Sequence, residues 1–215
     1  MYGRFGVADD YLQAAQDRAS DTKGRLIAAL RVPGSFTGTR QLQGECDHVA
    51  RRSRHIEPID MISILEAHRG DHLLQARGLF AEYAASLGIS LEFQNFQEEL
   101  ANLPGDYAPP EGTILIASWN EEAAGCAALR RMTQDACEMK RLYVSPQFRG
   151  IAIGKALAKA VVGEARRIGY RRILLDTLPT MHVAKSLYAE LGFRETAAYR
   201  YNPVDGSRFL KLELS

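Results

Sequence analysis

The residues best placed to do chemistry lie between Glu138 and Leu157, in the run Glu-Met-Lys-Arg-Leu-Tyr-Val-Ser-Pro-Gln-Phe-Arg-Gly-Ile-Ala-Ile-Gly-Lys-Ala-Leu. It reads as a strand, a turn of small residues and the start of an amphipathic helix. Amides at a helix start have no partner within the helix and sit at the positive end of its dipole, so they form an anion site. Gly150 and Gly154, with Ala152 between them, let a phosphate approach the main chain. Two other phosphate loops are excluded by spacing. A P-loop needs four residues between its glycines and a hydroxyl after the lysine, but here Gly150 and Gly154 are closer and Ala156 follows Lys155. The order Gly-x-Gly-x-x-Gly of a dinucleotide fold is also missing.

The elements that must hold this turn follow from periodicity. Met61 to Glu66 alternates as a half-buried strand, and Leu73 to Leu87 recurs at helical spacing until Gly88 stops it. A short helix spans Phe93 to Leu100 and closes at Pro104-Gly105. Thr113 to Trp119 and Ala123 to Met132 form a hairpin about the polar turn from Asn120 to Glu122. Glu138 to Val144 is the next strand, and the helix from Gly150 to Ile168 turns Leu157, Ala160, Val161 and Ala165 inward. Strand Arg172–Thr177, a helix from Val183 to Leu191 and strand Phe209–Leu214 finish the chain. The order β, α, α, β, β, β, α, β, α, β predicts an α/β layer fold, a mixed sheet with helices on both faces.

Composition narrows the class. A net charge of +1 on 215 residues gives no reason to expect a nucleic-acid partner. Cys46, Cys126 and Cys137 are odd in number and lack metal-ligand spacing, which fits a reducing cytoplasm and predicts no metal. No segment approaches the ~20 apolar residues of a membrane span, so no membrane partner is expected. Residues 1–60 are poor in large aliphatics and carry the basic cluster Arg51-Arg-Ser-Arg54. They read as an extension, flexible or loosely docked, ahead of a domain at 61–215.

Gln147-x-x-Gly150-x-Ala152 resembles the acyl-CoA signature of the Gcn5-related N-acetyltransferase (GNAT) family, Gln/Arg-x-x-Gly-x-Gly/Ala. Ala184-Lys-Ser-Leu-Tyr-Ala-Glu-Leu-Gly-Phe193 resembles its second motif, Ala-x-x-Leu-Tyr-x-x-x-Gly-Phe. The likeness covers about residues 61–215 and implies a mostly antiparallel central sheet. It further implies an enzyme that moves an acetyl group from acetyl-CoA, as co-substrate, to a primary amine. The transfer would run by direct attack in a ternary complex, and a homodimer fits the family.

Roles follow from the same resemblance. Gln147, Arg149, Gly150, Ile151, Ala152, Ile153, Gly154 and Lys155 would hold the phosphates. Leu142, Tyr143 and Val144 would splay from the neighbouring strand to pair with the pantetheine arm, an amide at Tyr143 or Val144 facing the thioester oxygen. Tyr188 would protonate the departing thiolate and Glu138 would take the amine's proton, with Asp176 as the first alternative and Glu99 and the five histidines behind it. Glu138 could instead pair with Arg141 or Arg172. Met181 departs from the family, which often has Asn there. A non-catalytic module that only binds acyl-CoA is the competing reading: it needs the cradle but neither Tyr188 nor Glu138. The acceptor carries no recognisable code, although the helices of residues 72–103 and the loop from Tyr199 to Asp205 are where specificity would lie.

Overall fold

The computed structural model describes residues 62–214, so the expectation for residues 1–60 lies outside the described residues. Seven strands form one sheet in the order β1-β2-β3-β4-β5-β7-β6: β1 (Ile62–Glu66), β2 (Thr113–Trp119), β3 (Glu122–Arg131), β4 (Ala136–Val144), β5 (Arg172–Thr177), β6 (Arg194–Glu195) and β7 (Arg208–Glu213). Every neighbouring pair is antiparallel except β4 and β5. The helices are α1 (Gly70–Ser86), α2 (Phe96–Ala101), α3 (Ile153–Ile168) and α4 (His182–Glu190).

Side-chain alternation along the inner strands builds two cores, one on each face. Ile114 and Ile116 of β2 join Ala76, Leu79 and Phe80 of α1 and Phe96 of α2. Leu115 and Ala117 point the other way, to Ile153, Leu157 and Val161 of α3 and Tyr188 of α4. The β2–β3 hairpin turns on Asn120 and Glu121, both left-handed at φ 48° and 71°, the backbone that matches strand twist in a two-residue turn.

Some features differ from expectation for local reasons. The helix foreseen from Gly150 begins at Ile153, because Pro146–Phe148 makes a 3-10 turn and Ala152 is left-handed at φ 65°. The short helix foreseen from Phe93 is cut by Asn95, left-handed at φ 54°, into a 3-10 turn and α2. The two-residue β6, added at the sheet edge, is too short to leave a periodic signal.

What positions the site is a break in β4. Its pairing with β5 runs only from Ala136↔Arg172 to Glu138↔Leu174, after which the two strands part. On the other side its register with β3 slips between Cys126 and Ala128, opposite Arg141, whose φ is 57°. A bulge bends its strand and re-aims the residues beyond it. Gly125 makes the bend feasible, since a Cβ there would lie 2.5 Å from the Tyr143 carbonyl oxygen. Gly125→Ala is therefore expected to cost about 1–3 kcal/mol of stability or more, read as a fall in thermal midpoint. A midpoint equal to the parent's would show that β3 and β4 separate freely here.

Candidate active site

Where β4 and β5 part, a cleft opens. It is lined by Met139, Lys140, Arg141 and Leu142 of β4, by Asp176 to Leu178 at the end of β5, by Met181, Ala184 and Tyr188, and by Tyr83 and Gln94 from the α1–α2 side. The edge of β4 from Met139 to Val144 is free of β5, so its amides and carbonyls there can pair with an extended ligand.

The phosphate turn lies just beyond this edge. Gly150 has φ 89° with no atom within 4 Å of a would-be Cβ, so backbone conformation, not packing, favours glycine. A Cβ on Gly154 would meet Val144 Cγ2 at 3.5 Å, an ordinary contact. The first amide satisfied by α3 itself is Ala156, bonded to the Ala152 carbonyl at 3.0 Å, which leaves the preceding amides at the helix end. Gln147, Gly150, Ile151 and Ala152 are exposed, while Ile153 is buried and anchors the helix start. Arg149 Nε donates to the Val144 carbonyl at 3.0 Å, and its guanidinium carbon lies 6.0 Å from the centroid of the Tyr143 ring. Lys155 Nζ, also exposed, bonds Glu190 Oε2 at 2.7 Å. Behind the turn, Ser145 Oγ donates to Glu82 Oε2 at 2.8 Å, tying β4 to α1.

Tyr188 faces the cleft from α4, and its ring sits 5.6 Å from that of Phe193. Burial pushes its phenol well above the ordinary value, with repulsion from Tyr83 and Asp176 adding to the shift, so it is protonated at any working pH. Met181 also lines the cleft, accepting a weak hydrogen bond on Sδ from Thr177 Oγ1 at 3.6 Å.

The carboxylates are arranged differently from the sequence expectation. Glu138 is wholly buried and does not line the cleft. Its partners are Arg130, donating from Nε at 2.9 Å and from a terminal nitrogen at 2.8 Å, and Tyr199, donating at 2.8 Å. They are neither Arg141 nor Arg172. Arg130 stands directly across the β3–β4 ladder from Glu138 and on the same face, which explains the pairing. Arg200 Nε lies 3.3 Å from Glu138 Oε1, outside hydrogen-bond geometry, while its terminal nitrogen binds Asp176. Asn202 completes Asp176 at 2.8 Å.

Arg141 instead forks onto Glu99 at 2.7 and 2.6 Å beneath the Phe96 and Tyr83 rings, and Tyr107 adds a third bond to Glu99 at 2.9 Å. Burial opposes ionisation of Glu99, yet this fork holds the carboxyl below its ordinary value. The pair fixes the bulge to α2. Sequence reasoning missed Lys140 altogether. Its Nζ donates to Gln94 Oε1 at 2.8 Å inside the cleft.

Residues 77–193 match the Acetyltransferase (GNAT) family. The chain belongs to that family. An uncharacterized N-acetyltransferase of Schizosaccharomyces pombe is 40% identical over 139 residues, which cover 64% of this chain and 85% of that protein. Among solved structures, an acetyltransferase from Streptococcus agalactiae is 25% identical at a TM-score of 0.60, covering 71% of this chain and 98% of that one. The yncA protein of Salmonella typhimurium, solved with acetyl-CoA as its cofactor, is 18% identical at a TM-score of 0.51, covering 72% of this chain and 94% of that one.

GNAT membership makes the chain an N-acetyltransferase. The splayed β4 and Tyr188 on α4 are the parts of this GNAT domain that line the cleft, and the turn before α3 continues the chain from β4. Among the described residues no group of three or more His, Cys, Asp and Glu could hold a metal, and no helix is long and apolar enough to cross a membrane.

Proposed function

We propose that the chain moves the acetyl group of acetyl-CoA to a primary amine by direct attack within a ternary complex. The observation that carries this reading is a cleft lined by a free strand edge and a buried phenol, with a helix end that has amides to spare following directly from that strand. The residues fit the co-substrate, because a side chain at Gly150 would project into the open space that a phosphate needs.

In this reading Gln147 and the backbone from Gly150 to Lys155 hold the diphosphate, and Arg149 supplies positive charge beside it. Lys155 joins them by leaving Glu190, an exposed pair that solvent and salt screen. Leu142, Tyr143 and Val144 pair with the pantetheine arm, and an amide at Tyr143 or Val144 receives the carbonyl oxygen as charge develops on it. The bound co-substrate supplies an acetyl group activated as a thioester. Tyr188 donates a hydrogen bond to the sulfur as the thiolate forms. Full proton transfer from Tyr188 runs uphill, because its phenol is raised while an ordinary thiol has a pKa of about 8.5.

Direct attack is supported by the two cysteines among the described residues. Burial pushes Cys137 up to about 12 and Cys126 higher still, so neither offers a thiolate near neutral pH. The acceptor would enter from the side of Gln94, Asp176 and the loop from Tyr199 to Asp205, where Tyr201 is 78% exposed. The test is CoA release with small amines, a peptide N-terminus and a protein lysine offered in turn. Release that needs an acceptor supports the transferase. Tight acetyl-CoA binding with no turnover on any amine would favour the module that only binds.

A further inference from the structure

An amine acceptor is mostly protonated near neutral pH and must lose a proton before it can attack. Among the described residues the carboxylates around the cleft are already engaged. Glu138 lies between Arg130, Tyr199 and Arg200, Glu99 holds the Arg141 fork and Tyr107, and Asp176 holds Arg200 and Asn202. Lys140 is different. Its amine reaches the cleft from the splayed part of β4 and has one neutral acceptor, Gln94 Oε1, at 2.8 Å. An uncharged amine that donates to Gln94 still has a lone pair to offer.

We propose that Lys140 is the proton acceptor for the incoming amine, an assignment that rests on the transferase reading above. The ammonium of the acceptor gives one proton to Lys140 Nζ, leaving a neutral amine and a lysine ammonium. The amine nitrogen then bonds to the acyl carbon while the carbon–sulfur bond breaks. The second proton leaves the nitrogen for the departing sulfur, and Lys140 returns its own to solvent. One proton is released for each amide formed.

The surroundings suit that task. Burial brings Lys140 down to about 7; Glu138 opposes the shift, while Arg141, Arg200 and Arg130 add to it. Asp176 from β5, Glu99 from α2, Tyr83 from α1 and Tyr188 from α4 are the other titratable groups around it. A base that titrates near the working pH is the most effective one.

Two measurements test this. The first is the pH profile of kcat with ethylamine and with glycinamide, two amines of different basicity. The expected profile rises through about pH 7 at the same place with both. Lys140→Arg, permanently charged, and Lys140→Met should each lose that rise and about 10²-fold or more in kcat, with acetyl-CoA affinity and thermal midpoint kept. Glu138→Gln should move the rise to lower pH, because Glu138 raises Lys140, and Arg200→Met should move it higher. A rise retained in Lys140→Arg would overturn the proposal.

The second measurement needs no turnover. Competitive labelling with acetic anhydride across pH, read at the Lys140 peptide by mass spectrometry, should reach half its limit near pH 7. Half-labelling near the ordinary lysine value of about 10.4 would overturn the proposal. Absence of CoA release with every amine would count against the transferase reading instead, and labelling would still decide the state of Lys140.

Discussion

Gly150→Glu is expected to abolish acetyl-CoA binding while leaving the domain folded. Gly150 sits at φ 89° with nothing within 4 Å of a would-be Cβ, so the new side chain meets no packed atom. The carboxylate would instead stand in the space proposed for the diphosphate and repel it. Gly150→Ala separates the two effects. It carries the backbone penalty of a left-handed residue, roughly 1–2 kcal/mol, without the charge. The expected series is a similar stability loss of about 1–2 kcal/mol in both, weakened binding in the alanine variant and none measurable in the glutamate variant. Calorimetric titration with acetyl-CoA reads it, and unchanged affinity in Gly150→Glu would remove the cradle from this account.

Tyr188→Phe is expected to lower kcat by about 10²-fold, the lower end of the range for general acids, with acetyl-CoA affinity unchanged. The lower end is chosen for a physical reason. Burial makes Tyr188 a weaker acid than a free phenol, so its contribution is a hydrogen bond to developing charge and not a completed proton transfer. Phenylalanine keeps the ring contact with Phe193, so the fold should hold. Single-turnover CoA release with a working amine is the readout. An unaltered rate would show that the sulfur leaves without help from this side chain.

The phosphate turn could be read in the sequence because its information is local. Gln147, Gly150, Ala152 and the helix behind them lie within one turn of chain, and each strand and helix that packs there carries its own period. The partners of the charged groups could not be read. Arg141 finds Glu99 42 positions away in sequence, and Arg200 reaches Glu138 only after α3, β5, α4 and β6 have folded between them. Lys140 passed unnoticed because a lysine in a strand reads as solvated. What makes it unusual is burial, together with the guanidinium groups that tertiary structure brings around it. The bulge at Arg141 had one visible sign, a glycine inside the alternating strand β3, which commonly marks a close backbone approach.

The measurement closest to the central claim is titration of the purified chain with acetyl-CoA, with acetyl-pantetheine lacking the nucleotide phosphates as the control. Saturable binding of acetyl-CoA that weakens sharply for the control is expected, because the amides before Ala156 and the Arg149 guanidinium then have no phosphate to hold. Equal affinity for the two, or no binding of either, would contradict it and reduce the turn before α3 to an ordinary helix start.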